Sequence, residues 1–139
     1  MHARRLPDDT DGDGLPGFWE TLYFGGATNA IATADSDNDG RSNLDEYIAL
    51  TDPRDPASNL RIHSLQLTPS TAQAVAHMSF TSSLARVYAL QRTDGLEPGH
   101  TWGAVTTERR GREGADAFVH TNPAPAHLTG MYRLTVRLP

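Results

Sequence analysis

Polar and apolar positions follow two rhythms along the 139 residues, and the change falls near residue 59. From Leu60 onward the period is two. In "YRLTVRL" (132–138) Tyr132, Leu134, Val136 and Leu138 share one face, with Arg133, Thr135 and Arg137 on the other. "AVAHMSF" (74–80) sets Ala74, Ala76, Met78 and Phe80 together. "LRIHSLQL" (60–67), "RVYALQR" (86–92), "WGAVTTE" (102–108) and "AFVHT" (117–121) are further predicted strands. Turn signals separate them at "TPST", "TDG", "EPG", "RGREG" and "TNPAPAH". Many short strands in so few residues predict an antiparallel β-sandwich, Ig-like or jelly-roll.

Before residue 59 the apolar positions come as two short stripes at helical spacing. Phe18, Trp19, Leu22 and Tyr23 fall at i, i+1, i+4 and i+5, predicting one helical face that "FGG" (24–26) closes. Leu44, Tyr47 and Ile48 form the second stripe, opened by a capping box of Ser42 and Asp45 and terminated by Pro53. Neither stripe has a good helix before it, so each unit reads as loop then helix, not helix–loop–helix. The predicted organisation is a loop–helix pair over 1–58 packed on a β-sandwich over 59–139. The fold class is mainly β with a small α part.

Each helix is preceded by an acidic run of one design. "DTDGDGLPGFWE" (9–20) and "DSDNDGRSNLDE" (35–46) align residue for residue. Asp9 and Asp35 stand at loop position 1, Asp11 and Asp37 at 3, Asp13 and Asp39 at 5. Gly14 and Gly40 stand at 6, Leu15 and Arg41 at 7, Glu20 and Glu46 at 12. Ca²⁺ takes six to eight hard oxygens. Carboxylates at 1, 3 and 5 wrap one side of such an ion, and glycine at 6 permits a sharp turn. The backbone carbonyl at 7 adds an oxygen, which leaves the side chain there unconstrained. Position 9, usually bridged by water, tolerates Gly17 and Asn43. Glutamate at 12 closes the sphere with both oxygens. The expected ligands are therefore Asp9, Asp11, Asp13, Leu15 and Glu20 for one Ca²⁺, and Asp35, Asp37, Asp39, Arg41 and Glu46 for a second. "TDPRDP" (51–56) either adds a carboxylate from Asp52 or Asp55 or is a proline-stiffened linker with local turn bonds.

Charge sharpens the division. Residues 1–58 carry twelve acidic residues and four arginines, a net −8; residues 59–139 carry five acids and eight arginines, a net +3. The acidic half argues against nucleic acid as its partner. The chain has no cysteine, which excludes disulfides, thiolate zinc sites and a thiol nucleophile. A small extracellular domain lacking disulfides needs another staple, and metal is one. No apolar run approaches the length of a membrane span, and "MHARRLPDD" lacks the apolar centre of a signal peptide.

Residues 8–58 resemble dockerin modules and bacterial thrombospondin type-3-like repeats, which are tandem loop–helix calcium units. The twelfth position departs from dockerins, which usually close with Asp. The resemblance implies calcium binding outside the cytoplasm and a non-enzymatic role in spacing, anchoring or attachment within a larger secreted protein. Two other readings stay open: a carbohydrate-binding module of a polysaccharide-degrading enzyme, and a self-assembling subunit of a fibre or surface layer.

The second half offers little chemistry. Its histidines lack zinc spacing; His63, His77 and His120 read as surface or cross-strand residues. Glu97, Glu108, Glu113 and Asp116 have no local sign of a glycosidase dyad. Arg109, Arg110 and Arg112 read as a solvated hairpin tip. Trp102 and Tyr88 read either as sugar-stacking rings or as core. The expected protein is not an enzyme.

Overall fold

The computed structural model describes residues 8–68, 74–93, 98–122 and 131–139. His2, Glu97, His127 and most of the turn segments read at 68–71, 93–95 and 121–127 lie outside these residues. The chain divides into two compact units, Met1–Asn59 and Leu60–Pro139.

The first unit holds two short helices, α1 (Gly17–Phe24) and α2 (Asn43–Ala49), with turns and no helix between them. Helix α1 stops where Gly25 enters the left-handed region at φ 80° and its N–H bonds the Thr21 carbonyl. Helix α2 starts on Ser42, whose hydroxyl accepts from the Asp45 N–H at 3.1 Å. It ends at Leu50, left-handed at φ 59°, with its N–H returned to Glu46 and Tyr47. Pro53 is therefore not the terminator; it is a fully buried part of the core three residues on.

The helical face of α1 also differs from expectation. Trp19 is buried, and its ring lies 5.1 Å from Tyr23 and 5.9 Å from Tyr47. Phe18 and Leu22 are 61% and 70% exposed. Glu20 is wholly buried. Turning Glu20 inward rotates the buried stripe onto Gly17, Trp19 and Glu20, with Tyr23 half-buried, and leaves Phe18 and Leu22 outside. Leu15, Ala30, Ala32 and Tyr47 complete this small core.

The second unit contains two antiparallel sheets. Strands β1 (Ser64–Thr68), β2 (Ala74–Ser82) and β6 (Gly114–Asn122) form one, in the order β1-β2-β6. In the other, β3 (Val87–Thr93) pairs with β7 (Met131–Arg137) on one side. On its other side it pairs with the two-residue strands β4 (Gly103–Ala104) and β5 (Arg109–Arg110). The core lies between the sheets: Ala76, Met78 and Phe80 of β2 and Phe118 of β6 meet Tyr88 and Leu90 of β3. Phe80 stacks on Phe118 at 5.2 Å and reaches Tyr88 at 5.5 Å. Tyr132, Leu134 and Val136 pack against this cluster, the face the period-two pattern selects. The run 60–67 shortens to β1, and "WGAVTTE" keeps only two strand residues.

In the arginine run Arg110 and Arg112 are exposed, but Arg109 is not part of a solvated tip. Arg109 turns inward and makes a two-pronged pair with buried Asp116, Nη1 to Oδ2 at 2.9 Å and Nη2 to Oδ1 at 2.7 Å. Its guanidinium also lies 4.4 Å above the Phe118 ring. Short pairing of Arg109 with Tyr88 aims the side chain between the sheets, a direction that local composition does not encode. Arg112 stays exposed. Among the described residues no helix is long and apolar enough to cross a membrane.

Candidate metal centre

The two acidic loops adopt the same local fold. In the first, Asp9 accepts from Gly12 N–H at 2.7 Å and Gly14 N–H at 3.1 Å, and Asp13 accepts from Leu15 N–H at 2.8 Å. In the second, Asp35 accepts from Asp39 N–H at 3.2 Å and Gly40 N–H at 2.8 Å, and Asp39 accepts from Arg41 N–H at 2.8 Å. These bonds curl each loop so that its carboxylates converge. Within each trio, Asp9/Asp11/Asp13 and Asp35/Asp37/Asp39, one oxygen per residue falls within 4.8 Å of the others. Gly14 and Gly40 take φ 97° and 94°, which glycine alone adopts without strain.

Exposed carboxylates gather in many proteins with no ion, so the glutamates carry more weight. Glu20 and Glu46 are 0% and 1% exposed. One oxygen of each is held. Glu20 Oε1 accepts from the Ala30 N–H at 3.1 Å, and Glu46 Oε1 accepts from the Thr51 hydroxyl at 3.4 Å. The other oxygen of each, Oε2, is buried and accepts no hydrogen bond among the described residues; the same holds for Asp37 Oδ2. Burial raises the Glu20 carboxyl above its ordinary range, and the charges of Asp11, Asp13 and Asp9 add to the shift against the Ala30 bond. Burial, then the charges of Asp37 and Asp39, pushes Glu46 up to about 7. A buried carboxylate with an unpaired oxygen and anionic neighbours is costly. A divalent cation among the same oxygens would remove both penalties.

The structure thus brings Asp9, Asp11 and Asp13 together in one trio and Asp35, Asp37 and Asp39 in another; Glu20 and Glu46 lie outside the 4.8 Å groups and feel the charges of their own trios. Leu15 and Arg41 hold the seventh positions, and their side chains are not equivalent. Leu15 is fully buried in the core, while Arg41 is exposed. Asp52 and Asp55 belong to neither trio and accept from Arg54 and Ala57 N–H in local turns.

Several contributors were missed in the sequence. Gly12 and Asn38, both at the fourth position, take φ 80° and 64°; glycine and asparagine are the residues that suit this conformation, so a signal was present. Gly17 is fixed by packing, since a Cβ there would come within 2.9 Å of the Asp8 carbonyl. Ala30 acts through its backbone and leaves no signal in residue type.

In the second unit several polar side chains singled out by the sequence have partners. Glu108 pairs with Arg137 at 2.9 Å, and Glu113 accepts from Ser83 and Leu84. His63, immediately before β1, bonds the Thr81 hydroxyl of β2 in the first sheet at 3.0 Å, and His120 of β6 bonds the Tyr132 hydroxyl of β7 in the other sheet at 2.8 Å. Tyr88 is buried and presents no ring to a ligand. Trp102 is half-buried, with the Arg133 guanidinium 4.3 Å over its ring. No family model matches the chain, and no curated protein or solved structure matches it either.

Proposed function

We propose that this chain is a non-enzymatic calcium-binding module of a secreted protein, in which two Ca²⁺ ions act as structural staples of the first unit. The observation that carries this reading is the pair of buried glutamates. Each keeps one buried oxygen without a hydrogen-bond partner among the described residues and feels the charges of the three aspartates of its own loop. Four carboxylates and a backbone carbonyl per loop suit a hard cation of high coordination number, and Ca²⁺ fits better than Mg²⁺, which demands a tighter octahedron. Extracellular calcium modules bind at roughly 10⁻⁴–10⁻³ M, so such sites fill outside the cell and empty in the cytosol. The task of the module is to space, anchor or attach neighbouring domains.

The second unit fits an Ig-like arrangement. Its order β1-β2-β6, facing β3 paired with β7, corresponds to strands A-B-E facing C-F of that fold. The deciding experiment is thermal denaturation of the whole chain in calcium and after EGTA dialysis. The transition of the first unit is expected to fall by many degrees without calcium, with the β-unit unmoved. An identical melting profile in both conditions would rule the reading out.

A further inference from the structure

We infer that the two loops bind calcium as a coupled pair, filling of one strengthening the other through the hydrogen-bonded span 30–34; this rests on the calcium reading above. The span joins the closing glutamate of the first loop to the exit of the second. At its start, the Ala30 N–H is held by Glu20 Oε1. Three further bonds then leave it for the ninth and tenth positions of the second loop. The Asn43 N–H donates to the Ala34 carbonyl at 2.7 Å, the Asn43 side-chain amide donates to Ile31 at 2.9 Å, and the Leu44 N–H donates to Ala32 at 3.0 Å. Asn43 is 1% exposed, and its Oδ1 also accepts from the hydroxyl of Ser36, the second position of the same loop, at 2.9 Å. Glu46 follows three residues later on α2.

An ion that fixes the Glu20 carboxylate holds Oε1 in place against the Ala30 N–H. It thereby orders the span that sets where Asn43, Leu44 and Glu46 stand. A second link runs through packing: Trp19, beside Glu20, meets Tyr47, beside Glu46, at 5.9 Å, and the Leu44 side chain lies 3.5 Å from the Cβ position of Gly14. Ordering that one ion has already imposed need not be imposed by the second, which is the physical content of positive coupling. Thermodynamic linkage makes the factor the same in both directions.

The test is a calcium titration of the full chain followed by NMR at two amides, Gly14 and Gly40, which donate to the first aspartate of their own loops. In the unaltered chain both signals are expected to move together over one steep transition. Glu20→Gln should raise the calcium midpoint at Gly40 by a factor within roughly 5–150, and Glu46→Gln should raise that at Gly14 by the same factor. Asp11→Asn weakens the first loop from an exposed position while leaving the Glu20–Ala30 bond intact, and it should also shift Gly40 upward. Unmoved Gly40 midpoints in Glu20→Gln and Asp11→Asn would overturn the coupling and leave calcium binding standing. Neither amide responding to calcium in the unaltered chain would overturn the calcium reading itself.

Discussion

Glu46→Gln is expected to change stability with opposite sign in the presence and absence of calcium. Without metal, Glu46 is a buried acid pushed up to about 7 by burial and by Asp37 and Asp39, from an ordinary 4.5. The folded state therefore holds its proton more tightly than the unfolded chain. Stability is unaffected below pH 4.5, falls as pH rises from there to 7, and stays at its lowest above 7. A shift of that size corresponds to about 3 kcal/mol. Glutamine carries no charge, keeps an acceptor for Thr51 and presents an amide to the neighbouring carboxylates. In EGTA at pH 8 the variant should melt on the order of 10 °C or more above the parent, given about 4–8 °C per kcal/mol for a unit of this size. At pH 4.5 the two should nearly coincide. With calcium at a thousand times Kd, loss of one site removes about 4.1 kcal/mol, more than the roughly 3 kcal/mol gained by removing the buried charge, and the variant should melt below the parent. Trp19 fluorescence in a Trp102→Phe background isolates the first unit. A variant that is less stable in EGTA at pH 8, or a difference that ignores pH, would refute the electrostatic account.

Gly14→Ala and Gly40→Ala force a Cβ into φ 97° and 94°, a cost of about 1–2 kcal/mol; calorimetry should show calcium affinity at that loop weakened roughly tenfold. Trp19→Ala empties the centre of the small core and should cost about 3–5 kcal/mol, whereas Phe18→Ser, on the exposed side of the same helix, should stay within about 0.5 kcal/mol; chemical denaturation compares them. In the β-unit, burial alone would raise Asp116, yet Arg109, Ser82 and the Ala117 N–H bring it down to about 2. Its contribution of about 2 kcal/mol is therefore present above pH 3.8 and lost as pH falls through 2. Asp116→Asn should flatten that acid limb in near-ultraviolet circular dichroism, and an unchanged limb would remove the ion pair from the account. Arg109→Leu strands the buried carboxylate and should cost about 3–5 kcal/mol, read by the same denaturation.

Period and spacing alone determined much of this protein. Alternation in 74–80 and 132–138 named the inward faces of β2 and β7, because a strand on one core has no freedom to choose another period. The acidic grammar placed two matching loops, and glycine at the sixth position pointed to the left-handed turns seen there. Local bonds between each aspartate and amides two to five residues on account for this: such contacts need only neighbouring sequence. Tertiary structure decided the rest. That Glu20 faces inward and Phe18 outward depends on which way the loop docks the helix, and apolarity by itself favours the reverse. That Arg109 enters the core depends on Asp116, seven residues on, being carried opposite it by a different strand. That Ala30 ties the two loops depends on a backbone N–H, which every residue but proline supplies and which therefore leaves no trace in the sequence.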